Sequence, residues 1–170
     1  LTKEAIDKEG WFHTGDIGLI DEDGLIHITD RKKEMFKLSG GKYVAPQVVE
    51  NKMKESQFID QLLVLGANKK FTSAVIVPDF EYLHNWCFLH EVNFHDNNEL
   101  ISLPVVISRM QVEIDRLNME LGHVEKIKAF KMVKDEWTTD NGLLTPTQKI
   151  KRKKVIEKYK YLKEEIYKDN

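Results

Sequence analysis

The spacing of hydrophobic residues changes several times along the chain and predicts a mixture of strands and helices. Apolar residues flank an Asp-Glu-Asp-Gly turn in residues 17–30, which predicts a β-hairpin because Gly24 can adopt a positive φ. Short apolar runs at 35–38, 62–65, 73–77 and 127–133 predict further strands. These strands are separated by longer segments with a different period.

Apolar residues recur every three or four positions over residues 103–121, which predicts a long amphipathic helix. Shorter helices are predicted at 45–56, where Pro46 suits the first turn, and at 80–95 and 150–167. Strands and helices in this order predict a compact α+β fold.

Composition and charge narrow the functional classes. The chain has 170 residues and a formal net charge of −2, which argues against bulk attraction to nucleic acid, although residues 149–168 are strongly basic. The single cysteine, Cys87, excludes an internal disulfide and is typical of a reducing compartment. No apolar run approaches the roughly 18 residues that a transmembrane helix needs, so we expect a cytoplasmic protein.

A few residues along the chain could together bind a nucleotide. Asp16 follows a Thr-Gly turn, where a carboxylate can accept hydrogen bonds from both hydroxyls of a vicinal diol. Arg31 offers a guanidinium to ribose or phosphate, and the Gly40-Gly41 pair lets the backbone approach a ligand closely. Lys149 offers a cation on a Thr/Pro-rich turn. Each residue alone is more typical of an ordinary turn or surface, but the combination predicts a nucleotide site.

Four motifs in one order carry a resemblance to a known family. They are Gly-Trp-Phe-His-Thr-Gly-Asp at 10–16, Asp-Arg-Lys-Lys-Glu at 30–34, Ser-Gly-Gly-Lys-Tyr-Val-Ala-Pro at 39–46, and Thr-Pro-Thr-Gln-Lys-Ile-Lys-Arg at 145–152. Over nearly its whole length the chain thereby resembles the C-terminal portion of the adenylate-forming acyl-CoA synthetases, a superfamily that includes firefly luciferase. The Asp-Arg-Lys-Lys-Glu linker is most similar to the long-chain fatty acyl-CoA synthetases. So is the Thr-Pro-Thr-Gln-Lys form, which replaces the more common Ser-Gly-Lys.

The resemblance implies a two-step reaction that uses ATP, Mg²⁺ and coenzyme A (CoA). A fatty acid and ATP form an acyl-adenylate and pyrophosphate, and the acyl group then passes to the CoA thiol. Asp16 and Arg31 are implied to bind the ribose of ATP and AMP, and Lys149 to bridge the α-phosphate and the attacking carboxylate. A loop is implied to line the path of the CoA pantetheine arm: Ser39, Gly40 and Gly41.

The resemblance also implies a division of the chain. Residues 1–30 would be the tail of a large N-terminal adenylation domain, and 31–34 a hinge linker. Residues 35–170 would be a small mobile lid domain, with a three-stranded sheet and a helical elaboration at about 80–121. Lys33 is the expected hinge residue because it follows Arg31 by two positions, and Asp30 is the alternative.

Several parts of such an enzyme have no counterpart in these 170 residues. The Gly/Ser/Thr-rich phosphate loop, the adenine pocket, the fatty-acid tunnel and the Mg²⁺ ligands are absent, and the chain begins at Leu1 rather than at methionine. We therefore expect its partner to be the N-terminal adenylation domain of the same enzyme. We also expect that this chain alone forms no acyl-CoA.

Two other interpretations were weighed. His84, Cys87, His90 and His95 could suggest a zinc site, but the His-x2-Cys-x2-His spacing matches no standard structural site, so no metal ligand is predicted. The basic helix predicted at 150–167 could bind a carrier protein or, peripherally, the inner face of an anionic membrane. A solvated surface is the simpler interpretation of that helix, but a non-catalytic interaction module is the alternative function.

Overall fold

The structure, a computed structural model, describes residues 5–168 except for the side chain of Asp30. Strands β1 (Asp16–Ile20) and β2 (Ile26–Arg31) form the predicted antiparallel hairpin. A register shift between Ile17 and Gly18 introduces a bulge into β1. Gly24 in the connecting turn has a φ of +81°, as the turn prediction requires.

The hairpin turn repeats a motif that also shapes residues 7–13: Asp, two residues, Gly, two residues, His. In each copy the Asp side chain accepts two backbone N–H groups at 2.8–3.0 Å and contacts the His ring. His27 Nε2 lies 2.5 Å from Asp21 Oδ2, and His13 Nε2 lies 2.8 Å from Asp7 Oδ2. The hydrogen bond with His27 has the largest effect in holding the pKa of Asp21 below its usual range, and the hydrogen bonds from backbone N–H groups add to it.

A second, smaller ladder follows residues 31–34. Strands β3 (Phe36–Lys37) and β4 (Tyr43–Val44) pair antiparallel around a turn in which Gly41 has a φ of +86°. The sequence predicts β3, within the apolar run at 35–38, and the turn, but it does not predict β4. Helix α1 (Pro46–Met53) begins at the predicted proline and ends before the predicted boundary at 56.

The predicted three-stranded sheet is present, with the order β5-β6-β7. Its strands are β5 (Ile59–Leu65), β6 (Thr72–Pro78) and β7 (Ile127–Met132). β5 and β6 are antiparallel, whereas β6 and β7 are parallel. Parallel neighbours need a crossover connection, and residues 79–126 provide it. The helical stretch interpreted above as an elaboration is therefore the connection that the sheet topology requires.

The crossover contains three helices rather than the two predicted. They are α2 (Phe80–Leu89), α3 (Asn97–Leu100) and α4 (Pro104–Asn118). The prediction of a helix up to residue 95 is wrong. Glu91 adopts a φ of +55°, and the N–H of Val92 donates to the carbonyl of Cys87 (2.9 Å), which closes a Schellman-type helix end. Because this end lacks the usual glycine, the sequence does not reveal it.

The single helix predicted at 150–167 is also wrong, because two helices occupy this region. Helix α5 (Arg152–Lys158) and helix α6 (Lys160–Lys168) are separated by a break at Tyr159. The Tyr159 side chain is buried beside Trp137, and the indole Nε1 donates to its hydroxyl at 3.3 Å. The break therefore coincides with an aromatic contact in the core.

One hydrophobic core joins the sheet to the helices. Its fully buried members come from every layer: Val49, Leu62, Ile76, Leu83, Ile114, Leu117 and Val155. At the end of α4, Asn118 exchanges two hydrogen bonds of 2.9 Å with the backbone of Ile127, which fixes the start of β7. Within residues 5–168, no helix is long and apolar enough to cross a membrane.

Candidate active site

A tightly bonded turn carries Lys149. Leu144 and Ile150 form an antiparallel bridge, and the N–H of Thr145 donates to the carbonyl of Lys149 at 2.8 Å. The N–H of Gln148 donates to the carbonyl of Thr145 (2.9 Å), and the Thr145 hydroxyl accepts from the N–H of Lys149 (3.0 Å). The Lys149 side chain is exposed and has no ion-pair or hydrogen-bond partner in the described part of the chain. Its ammonium is therefore available to an anionic ligand.

The backbone of Gln148 explains the shape of this turn. Its φ of +60° lies in the left-handed region, which glycine adopts most easily. A turn followed by one left-handed residue is a standard three-residue hairpin connection. In the more common Ser-Gly-Lys form of the motif, glycine stands at this position. The turn geometry is thus the same one that glycine favours, adopted here by glutamine.

Asp16 and Arg31 lie side by side at the open end of the hairpin. They are register partners, and Arg31 Nε donates to Asp16 Oδ1 at 3.1 Å. The N–H of Asp16 donates to the hydroxyl of Thr14 (3.1 Å), and Gly15 has a φ of +79°. The Arg31 side chain is 62% exposed and that of Asp16 is 28% exposed. An exposed ion pair of this kind contributes little stability, so a bound diol can compete for the carboxylate.

A small cleft of about 190 Å³ brings Arg31 and Lys149 together. Polar side chains make up most of its wall: Arg31, Gln47, Asn51, Lys54, Gln148 and Lys149. Two of the sequence-predicted residues, separated by more than 100 positions in the chain, therefore face one cavity. Asp16 adjoins the cleft through its ion pair with Arg31.

The family follows from a match over most of the chain. Residues 33–170 match the family described as the AMP-binding enzyme C-terminal domain. The chain belongs to this family.

The proteins similar in sequence to this AMP-binding enzyme C-terminal domain include fatty acid ligases. The chain is 38% identical over 167 residues to a long-chain-fatty-acid–CoA ligase of Mycobacterium tuberculosis, covering 98% of this chain and 28% of that protein. It is also 38% identical to human long-chain-fatty-acid–CoA ligase 6, covering 98% of this chain and 24% of that protein. The chain thus spans about a quarter of the length of these relatives.

A solved structure supports the same assignment of the fold. The A domain of carboxylic acid reductase from Segniliparus rugosus, solved in complex with AMP and a carboxylic acid, superposes with a TM-score of 0.79. The two sequences are 26% identical, and the match covers 99% of this chain and 25% of that chain. The predicted α+β C-terminal domain, with its three-stranded sheet and preceding hairpin, is therefore confirmed.

In this C-terminal domain an ion-pair network links Glu34, just before β3, to the segment after Lys149. Arg152 Nε donates to Glu34 Oε2 at 2.8 Å, and a terminal guanidinium nitrogen of Arg152 donates to buried Glu50. The second oxygen of Glu50 accepts from the N–H of Val64 at 2.9 Å. Burial alone would lower the pKa of Arg152, but the two carboxylates reverse this and raise it, so the guanidinium stays charged. Burial raises the pKa of Glu50, against the effect of Arg152.

This network was missed at the level of sequence. The three members of the network lie within the family motifs or next to them: Glu34, Glu50 and Arg152. Because they are far apart in the sequence, the sequence alone does not show which of their charges form ion pairs. The three residues also line the cleft that holds Lys149. They form the charged part of the cleft wall, next to the turn that carries Lys149.

The predicted CoA loop lies elsewhere. None of Ser39, Gly40 and Gly41 lines the Lys149 cleft, and all three are exposed. The N–H of Ser39 donates to the carbonyl of Lys69 at 2.9 Å, which places the loop against the β5–β6 turn. The structure therefore places Arg31 and Lys149 on one cleft, with Asp16 paired to Arg31, and the glycine loop outside that cleft.

The histidines weighed as zinc ligands have other contacts. His84 Nε2 lies 2.8 Å from Asn97 Oδ1, and His90 stacks on Trp86 with ring centroids 4.4 Å apart. Cys87 is fully buried. Of the described residues, no group of three or more His, Cys, Asp or Glu side chains could hold a metal ion.

Proposed function

We propose that this chain is the C-terminal part of an ATP-dependent long-chain fatty acid–CoA ligase. The single observation that carries the proposal is the unpaired Lys149 ammonium on its bonded turn, facing the same cleft as Arg31. The acyl specificity is proposed from the 38% identity to long-chain-fatty-acid–CoA ligases. The substrates would be a fatty acid, ATP and CoA.

The chemistry of adenylation needs such a lysine. An anionic carboxylate attacks an anionic phosphate, so the two reactants repel each other. A positioned ammonium offsets this repulsion and stabilises the charge that develops in the transition state. Lys149 is proposed to contact both the carboxylate and the α-phosphate.

The ribose would bind beside this lysine. The Asp16 carboxylate is proposed to accept hydrogen bonds from the ribose hydroxyls of ATP and AMP, and Arg31 to donate to the same sugar. The acyl pocket and the ligands of Mg²⁺ are proposed to lie in the N-terminal domain, since the motifs for them are absent from this chain.

The second half-reaction would use the loop of Ser39, Gly40 and Gly41. Thioester formation needs room for the CoA thiol rather than a cation at the phosphate. The exposed loop of Ser39, Gly40 and Gly41 offers little side-chain bulk, and its separation from the Lys149 cleft supports a domain that presents two different faces.

Backbone contacts support a hinge at Lys33 rather than at Asp30. Asp30 is paired with Ile17 in the β1–β2 ladder, and the N–H of Lys32 donates to the carbonyl of Gly15 at 2.8 Å. On the other side, Glu34 is tied to the lid by Arg152. Lys33 lies between these two attachments. We therefore propose residues 1–30 as the tail of the N-terminal domain, 31–34 as linker and 35–170 as lid.

Substitution of Lys33 by proline tests this hinge in the full-length enzyme. Proline fixes φ, so it should hinder the rotation while leaving both faces of the lid intact. We expect at least one half-reaction to slow by about tenfold or more, measured separately as pyrophosphate release and as CoA thioester formed from supplied acyl-adenylate. The Lys33→Ala variant, which removes the side chain but keeps the backbone free, should behave like the parent. Unchanged rates in the proline variant would place the hinge elsewhere.

The exposed apolar surface of the hairpin supports a partner on that side. Seven large apolar side chains in and just before the hairpin are 52–72% exposed: Trp11, Phe12, Leu19, Ile20, Leu25, Ile26 and Ile28. Apolar exposure of this extent is typical of an interaction surface. The proposed occupant is the N-terminal adenylation domain.

A direct experiment tests the proposed function. The purified 170-residue chain should form no acyl-CoA from palmitate, ATP, Mg²⁺ and CoA. The same chain joined to the N-terminal portion of the Mycobacterium tuberculosis ligase should form it, with a Lys149→Ala version of the joined protein as the matched negative control. Turnover by the isolated chain would contradict the proposal, as would equal activity of both joined proteins.

A further inference from the structure

A second cavity, of about 870 Å³, adjoins the Lys149 cleft and shares Glu34, Ile150 and Arg152 with it. We call it the lysine groove. Its floor is apolar and comes from β3, the end of β5 and helix α5: Met35, Phe36, Val64, Leu65, Ala67 and Ile156. The volume lies within the range of 300–1,000 Å³ that small-molecule sites usually have.

The depth of the floor depends on a glycine. Gly66 is buried at the end of β5, and a Cβ atom there would lie 2.6 Å from the ring of Phe36. The aromatic ring can therefore lie directly on the backbone of the strand. Ile156, the part of the floor that α5 contributes, is 39% exposed, which is unusual for a large aliphatic side chain in a helix with so many lysines.

The rim of the groove is strongly cationic. Five lysines line it: Lys33, Lys151, Lys153, Lys154 and Lys163. None of them has an ion-pair or side-chain hydrogen-bond partner in residues 5–168. The only carboxylate in the lining, Glu34, is bound to Arg152. Counting both of these residues, the lining has a net charge of +5.

Glu50, which lies outside the lining, also pairs with Arg152, and two further carboxylates lie beside the rim. Glu157 and Glu164 line an adjacent cavity together with Lys153 and Lys163, but neither carboxylate forms an ion pair with them. The groove thus combines a concave apolar floor with lysines that form no ion pair, and both features favour an occupant that supplies the complementary chemistry.

We propose that the lysine groove binds a single-chain amphiphile with an anionic head group. The alkyl chain lies on the apolar floor, which removes its surface from water, and the head group contacts the lysines of the rim. A flat bilayer does not match this shape, because floor residues such as Val64 and Leu65 are only 3% and 5% exposed and lie at the bottom of a concave surface. The groove is formed by residues of this chain, whereas the acyl pocket is proposed for the N-terminal domain, so the inference does not depend on the proposed function.

Titration of the 170-residue chain with dodecyl phosphate, below its critical micelle concentration, tests this site by calorimetry. We expect saturable binding of one molecule per chain that weakens as salt rises. Butyl phosphate, which lacks the long chain, and dodecyl maltoside, which lacks the charge, should each bind at least about tenfold more weakly. Equal binding of dodecyl maltoside, or no binding of dodecyl phosphate, would overturn the proposal.

Paired variants locate the binding. Ile156→Ser and the double variant Lys153→Ala/Lys154→Ala should each weaken dodecyl phosphate binding by about fivefold or more. The matched controls lie outside the groove: Val112→Ser, at a 56% exposed position on α4, and Lys128→Ala/Lys134→Ala. Equal loss in variants and controls would refute the location. Binding to phosphatidylglycerol vesicles without binding to the monomeric amphiphile would refute the proposal in favour of a membrane surface.

Discussion

Replacement of Lys149 by alanine in the proposed full-length ligase is expected to slow acyl-adenylate formation by about 10²–10³-fold. Thioester formation from supplied acyl-adenylate should proceed at the parental rate. The reason is that, in the proposed mechanism, the ammonium acts only where a carboxylate meets a phosphate, and removal of one such preorganised contact costs about 3–4 kcal/mol in the transition state. The turn itself should survive, because its hydrogen bonds are formed by the backbone and by Thr145 rather than by the lysine side chain.

The measurement separates the two half-reactions. Pyrophosphate release from fatty acid and ATP reports adenylation, and CoA thioester formed from synthetic acyl-adenylate reports the second step. Lys134→Ala, at an exposed lysine outside both cavities, is the matched control and should leave both rates unchanged. Equal loss of both half-reactions in the Lys149 variant would contradict the assigned role.

Replacement of Arg152 by methionine is expected to lower the free energy of unfolding by about 3–5 kcal/mol, because it leaves Glu50 buried and unpaired. Glu50 is 6% exposed and keeps only the N–H of Val64 as a hydrogen-bond donor once the guanidinium is gone. Urea denaturation of the 170-residue chain at neutral pH measures the loss. The Glu34 side chain is more exposed, so the loss of its ion pair with Arg152 should cost less stability.

A second variant distinguishes the lost pair from lost packing. In Arg152→Met/Glu50→Leu the stranded charge is absent, so much of the stability should return, since an apolar pair often replaces a buried ion pair at little cost. Lys158→Met, which breaks the exposed pair with Asp135, should cost less than about 1 kcal/mol. If the double variant were as unstable as the single one, an unpaired Glu50 would not be the cause.

The sequence predicts those parts of the fold that have a strong period or a diagnostic turn residue. The hairpin is predictable because Gly24 marks its turn, and the buried strands β5 and β6 are predictable from unbroken apolar runs. The end of α2 is not, because Glu91 takes the left-handed position that glycine usually holds. The break at Tyr159 depends on packing against Trp137, which no local pattern records.

The candidate site divides in the same way. Asp16, Arg31 and Lys149 are predictable because each lies in a motif whose residue types suit a nucleotide. Their shared cleft and the position of Arg152 between two carboxylates are not, since pairing over 102 and 118 positions depends on the tertiary fold. The lysine groove is not predictable from the sequence either, because its apolar floor and its cationic rim come from distant segments of the chain.

The turn that carries Lys149 makes the length of this segment more critical than its composition. The bonds between Thr145 and Lys149 close a loop of fixed size, so one inserted residue between Pro146 and Thr147 would change the turn type. Loop lengthening of this kind costs little in folding free energy. A displacement of about 1 Å at a reacting group, however, can reduce a rate by roughly 10²-fold. Insertions here should therefore be nearly silent in unfolding experiments and still slow the proposed adenylation step.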